Sequence, residues 1–174
     1  MTVWSEHGTF VIDEKVKYYG TINKPIGCPS FELTRRDRAG NRGIGWYASE
    51  KQLTNTYLFI TPFLAEGNQP QQLTDDNLSA LQVLIVPKQA VQQLAKSYGL
   101  SDMDLIERAE LLADSDDLNY QSKAYDRIAA NKLWLTYSAG LREQPVNMVV
   151  PREVLKQLKG VADLFVAEDG VKRV

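Results

Sequence analysis

The chain has 174 residues, of which 44% are hydrophobic and 24% charged, the balance of a globular domain rather than a disordered segment. One Cys and one His exclude an internal disulfide and leave too few ligands for a zinc site of those residue types. The formal net charge of -2 excludes a globally basic nucleic-acid binder, and no stretch reaches the roughly 20 apolar residues that span a bilayer.

The start, MTVWSEHGTFVIDEK, has no basic residues followed by an apolar run. No signal peptide is expected, and a soluble cytoplasmic protein is the default. The first third reads as β. Phe10, Val11 and Ile12 open it, and Val16, Tyr18, Tyr19 and Ile22 continue it. Asp13-Glu14 is either a turn or the middle of one strand. Gly27-Cys28-Pro29 punctuates, with Cys28 read as a free thiol. Ser30 to Arg36 alternates, with Phe31 and Leu33 on one side and Glu32, Thr34 and Arg36 on the other. Residues 37–43 are a turn by composition, and Ile44 to Ala48 returns as the partner strand. Thr54 to Ile60 is a strand buried at its C-terminal half, closed by Pro62.

The remainder alternates strand and helix. Gln82 to Val86 is a short apolar strand, and Pro87 precedes a helix over 88–98 with Ala90, Val91, Leu94 and Tyr98 on one face. Gly99 caps that helix. Ser101-Asp102-Met103-Asp104 opens a second helix, through 113, striped by Leu105, Ile106, Ala109 and Leu112. A third helix is expected over 122–130. Strands follow at 133–137 and 146–150, then a helix over 151–159. VLIVPKQAVQQL (83–94) and NMVVPREVLKQL (147–158) share a strand–Pro–basic–helix pattern, read as a recurring junction. The expected fold is α/β or α+β, a single domain with a mixed central sheet flanked by helices.

Charge is unevenly laid out. Residues 1–62 carry eight Lys/Arg and six Asp/Glu, residues 63–120 three and ten, and residues 121–174 nine and six. Two mildly basic flanks enclose an acidic middle. That is either a solvated helical face or a fold with one basic and one acidic face.

The chemistry available rests on carboxylates, hydroxyls and cations. No GxGxxG, P-loop or GxSxG motif is present. Asp13 and Glu32, if on adjacent strands, can hold a Mg²⁺ ion, which prefers oxygen ligands and activates water at a phosphoryl centre. Lys15 and Arg36 are the neighbouring cations. The plain alternative is that both carboxylates sit on the solvent face of a half-buried sheet and need no function. Arg35, Arg36, Arg38 and Arg42 form the densest basic cluster. Arg35, Arg38 and Arg42 suit phosphate contacts, and Trp46 and Tyr47 beside them suit stacking on a base. A charged hairpin that blunts a sheet edge is the competing reading. Trp4, Trp46 and Trp134 are read as partly buried anchors.

A strand with Asp13, a strand with Ser30-Phe31-Glu32-Leu33-Thr34 and a hydrophobic strand Tyr57-Leu58-Phe59-Ile60 together resemble the PD-(D/E)xK nuclease superfamily over roughly the first 90 residues. The resemblance implies Mg²⁺ at Asp13 and Glu32 and cleavage of nucleic acid. Thr34 stands where that superfamily has its Lys. Lys15, Arg36 or Lys51 then takes the role, or the chain is an inactive relative that kept the fold. The functional expectation is a nuclease-like, nucleic-acid-contacting protein. The alternative is a non-catalytic interaction domain, such as a homodimer.

Overall fold

The computed structural model describes residues 2–5, 8–16, 24, 26–49, 53–65, 74–114 and 124–174. In chain order the strands of the first half are β1 (Thr2–Ser5), β2 (Gly8–Val16), β3 (Ser30–Arg36), β4 (Arg42–Ile44), β5 (Thr56–Leu64) and β6 (Leu78–Pro87). Helices α1 (Lys88–Ser97) and α2 (Asp102–Asp114) follow. Then come β7 (Ala124–Ala129), β8 (Leu133–Tyr137), β9 (Val146–Val149), α3 (Arg152–Leu155), β10 (Ala162–Ala167) and β11 (Gly170–Arg173). The class is a sheet-dominated mixture of α and β. The strands form two sheets rather than one central sheet, and the chain divides into two compact units.

The first unit takes Met1–Gly27, Thr54–Val91 and Leu155–Val174. Its six-stranded sheet runs β1-β2-β5-β6-β10-β11, with β2 and β5 parallel and the other pairs antiparallel. β6 alternates strictly, burying Ala80, Gln82, Leu84 and Val86. Phe59, Leu84 and Asp163 lie in one cross-strand row. An aspartate in an apolar row must be paired. Asp163 accepts a hydrogen bond from Gln82 Nε2 at 3.0 Å, and Lys156 Nζ lies 3.8 Å from its carboxylate.

The second unit takes Cys28–Leu53 and Gln92–Val154. Its five-stranded sheet is antiparallel throughout, in the order β4-β3-β9-β8-β7. Leu135, Met148 and Phe31 form a fully buried row across β8, β9 and β3. Helix α2 packs on this face through Leu105, Ile106 and Ala109. Asp126, in register with Leu135, pairs with Arg108 of α2 at 2.8 Å, which fixes the covered side. The start of α2 is a reciprocal cap. Asp104 N–H donates to Ser101 Oγ at 3.2 Å, and Ser101 N–H donates to Asp104 Oδ2 at 2.7 Å.

Several expected elements are corrected. The stretch expected as a helix over 122–130 contains strand β7, because Tyr125, Arg127 and Ala129 alternate with Asp126 and Ile128 and pair with β8. The hairpin partner of β3 ends at Ile44. Gly45, Trp46 and Tyr47 then turn back over Glu32 instead of continuing in the plane. Strand β5 runs through Pro62. Pro62 stays in register with Leu81 of β6. The last helix stops at Leu155, followed by i→i+3 turns and Gly160 at φ +85°. Strands β1, β10 and β11 have no counterpart in the expected set. Val16 closes β2, and the continuation of the first strand over 17–22 lies outside the described residues. Among the described residues no helix is long and apolar enough to cross a membrane.

Candidate nucleic-acid interface

The expected pairing of Asp13 and Glu32 on adjacent strands is not formed. Asp13 lies in β2, between β1 and β5 of the six-stranded sheet. Glu32 lies in β3, between β4 and β9 of the five-stranded sheet. Lys15 pairs in register with Phe59, and its side chain lies outside the described residues. Among the described residues no group of three or more His, Cys, Asp or Glu side chains is placed to hold a metal ion.

Glu32 is 8% exposed and its partners are structural. Its carboxylate accepts the Trp46 N–H at 3.4 Å, and Arg35 Nε lies 3.7 Å away. Its backbone carbonyl accepts the Tyr47 N–H at 3.0 Å. Tyr47 is 0% exposed, with its ring centroid 5.5 Å from that of Phe31, so it belongs to the core and offers no face to a base. Trp46 is half-buried, 6.3 Å from Phe31 between centroids.

The arginines separate into two kinds. Arg36 and Arg42 are directly opposed across β3 and β4, and both are used internally. Arg36 Nε donates to Gln144 Oε1 at 2.7 Å and its Nη1 to Gly40 O at 2.7 Å. Arg42 Nη1 donates to Thr34 Oγ1 at 3.2 Å, and its guanidinium lies 5.5 Å from the centre of the Tyr137 ring. These two arginines stitch the hairpin to the loop before β9. Arg35 and Arg38 are exposed.

Arg38 rides on a hairpin tip built by Asp37. The carboxylate accepts Asn41 N–H at 2.9 Å, Asn41 Nδ2 at 3.3 Å and Ala39 N–H at 2.8 Å. Gly40 at φ +88° closes the turn. The Asn41 backbone N–H, with its side chain and the Ala39 and Gly40 amides, holds the Asp37 carboxyl below the usual carboxylate range. A depressed folded-state value stabilises above the unfolded value and stops doing so as pH falls through the folded one. Acid titration followed by NMR is therefore expected to move the Ala39 and Asn41 amides together, at a pH below that of a free aspartate. Titration at the free value would contradict this tip geometry.

The face of this sheet opposite α2 carries residues that the sequence reading did not place together. Arg127 on β7 is directly across from Trp134 on β8, and Tyr125 is across from Thr136. Tyr125, Arg127, Ala129, Asn131 and Trp134 line a cleft of about 290 Å³. Tyr125 is 56% exposed, Arg127 is exposed and Trp134 is half-buried. Asn131, at φ +57°, makes the turn between the two strands. No described carboxylate pairs with Arg127. Helix α2, on the other face, carries five carboxylates and one arginine. This unit thus has an acidic helical side and an aromatic-and-cationic strand side.

No protein-family model matches the chain, and no solved structure matches it significantly. It is similar to the replication factor C small subunit of Aeropyrum pernix, with 28% identity over 123 residues. Those residues are 71% of this chain and 34% of that protein, so the chain spans about a third of the relative's length.

Proposed function

We propose that the chain contacts nucleic acid through the exposed β7–β8 end of its five-stranded sheet, on the side away from α2. The observation that carries this reading is the cleft in which an exposed Tyr125 and a half-buried Trp134 flank Arg127, a cation with no described carboxylate beside it. Aromatic rings beside a free guanidinium match both parts of a polynucleotide, its flat bases and its charged backbone. Exposed Arg38 and Lys132 add positive charge at two hairpin turns of the same unit. The likeness to a protein named as a replication factor supports the same class of partner. The near-neutral total charge is no objection, because the acidic residues concentrate on α2, across the sheet.

The reading is one of contact rather than cleavage. The cleft supports contact, and Glu32, the carboxylate expected at a metal centre, already accepts from Trp46 N–H and lies beside Arg35. Fluorescence anisotropy with a labelled oligonucleotide tests the proposal. Binding is expected to weaken steeply with salt, and Arg127→Glu is expected to cost about tenfold in affinity and lower the salt slope by about 1. Absence of binding at low salt would overturn it and leave the exposed aromatic face to protein–protein contact, for instance as a homo-oligomer. Magnesium-dependent cleavage abolished by Glu32→Gln in a folded protein would restore the nuclease-like reading.

A further inference from the structure

We propose that the chain selects single strands over duplex, by seating one unpaired base in the cleft between Tyr125 and Trp134. This rests on the preceding reading and gives it a substrate class. The cleft volume of about 290 Å³ falls at the lower limit of small-molecule sites, about 300–1,000 Å³. That is room for one planar ring system. The site also lies on an edge strand, since β7 pairs only with β8 among the described residues, so a chain can reach it from the side.

The lining residues divide the task. Tyr125 and Trp134 supply ring faces, and stacking on them is available only to a base whose own faces are free. Ala129, small and half-buried, lines the cleft in the row beyond Arg127 without filling it. Arg127 sits directly across from Trp134, where a guanidinium can meet the phosphate attached to a stacked base or lie over its ring. Asn131 ends the cleft at the hairpin turn with an amide that both donates and accepts, which suits the exposed edge of an unpaired base. In a duplex those edges are paired and those faces stacked, so only the sequence-independent cationic contacts remain.

The test compares a labelled single strand of about 15 nucleotides with its blunt duplex, using the full chain. Single-strand binding is expected to be at least about tenfold tighter than duplex binding. Tyr125→Ala, at an exposed position, is expected to weaken the single strand about tenfold and leave the duplex unchanged, while Tyr125→Phe retains the preference. Circular dichroism confirms that each variant is folded. Should Tyr125→Ala nevertheless disturb the strand, Asn131→Gly, which removes the amide and keeps the positive φ of the turn, is read instead, with a smaller loss on the single strand alone. Equal affinity for both forms overturns the single-strand inference and leaves nucleic-acid contact intact. A single-strand preference untouched in Tyr125→Ala and Asn131→Gly overturns the cleft as its source. Binding to neither form overturns the underlying reading as well.

Discussion

Leu135→Ala is expected to destabilise the five-stranded unit by about 2–5 kcal/mol, the usual cost of emptying a well-packed leucine site. Leu135 is fully buried at the centre of β8, level with Met148 and, through it, with Phe31. Helix α2 closes over this row with Leu105, Ile106 and Ala109, all of them buried. Two features hinder collapse of the cavity. The flanking strands are tied into the hydrogen-bonded sheet, and the Arg108–Asp126 pair at 2.8 Å holds the helix at one height above it. Urea unfolding monitored by far-ultraviolet circular dichroism measures the loss. A cost below about 1 kcal/mol would mean that α2 is not seated on this row. A substitution of the same kind at Leu111, 73% exposed on the outer side of α2, is the control with little effect.

Gly45→Ala is expected to cost about 1–3 kcal/mol, chiefly through crowding of the β3 backbone. A Cβ at this position would stand 2.5 Å from the Glu32 carbonyl oxygen, 2.7 Å from its carbonyl carbon and 2.8 Å from its Cγ. The close approach exists because Gly45 N–H donates to Leu33 O at 2.6 Å as the chain crosses β3. The same crossing delivers Trp46 N–H to the Glu32 carboxylate and Tyr47 to the core beside Phe31. Unfolding in urea should shift to lower denaturant, with a changed tryptophan emission from Trp46. A neutral Gly45→Ala would contradict the packing of this turn on β3. The same geometry affects how Glu32 variants are read. Truncating Glu32 removes an acceptor for Trp46 and a partner for Arg35, so a loss of function after Glu32→Ala has a structural source before any catalytic one.

The legible parts of the fold are those decided within a few residues. Phe31 and Leu33 alternate with polar neighbours and do form β3. The spacing of Ala90, Val91 and Leu94 forms α1, and the Ser101 cap starts α2 one residue on. The parts that were not legible depend on distant partners. β3 pairs with β9, more than a hundred residues away, and nothing local separates its sheet from that of β5 and β6. Ala-Tyr-Asp-Arg-Ile-Ala has no strong β signal of its own. It becomes β7 because β8 offers it a ladder, and the nonlocal pairing overrides the propensity of its alanines. Asp163 breaks the apolar pattern of β10, and its burial is acceptable only because Gln82 and Lys156 meet it.

The candidate site was hidden by that one helix-for-strand reading. Taken as a helix, 122–130 sets Tyr125 and Arg127 apart from Trp134. Taken as a strand with Ala130-Asn131-Lys132 as its turn, it runs beside Trp134, and a register shift between Arg127 and Ala129, which no local signal announces, then sets Arg127 opposite Trp134. The densest basic cluster drew attention to Arg36 and Arg42. Hydrogen bonds to Gln144, Gly40 and Thr34 and a cation–π contact with Tyr137 use those two side chains within the fold. Density of charge along the chain says nothing of which guanidinium remains free; burial and partners decide it.

The most direct test of nucleic-acid contact through the β7–β8 cleft is photocrosslinking. A single-stranded oligonucleotide containing 5-bromouracil is bound to the full chain at low salt and irradiated, and the adducts are mapped by peptide mass spectrometry. The expected adducts fall on Tyr125 and Trp134 and are competed by unlabelled single strand. Adducts confined to the six-stranded unit, or none at a concentration where the oligonucleotide is bound, would contradict it.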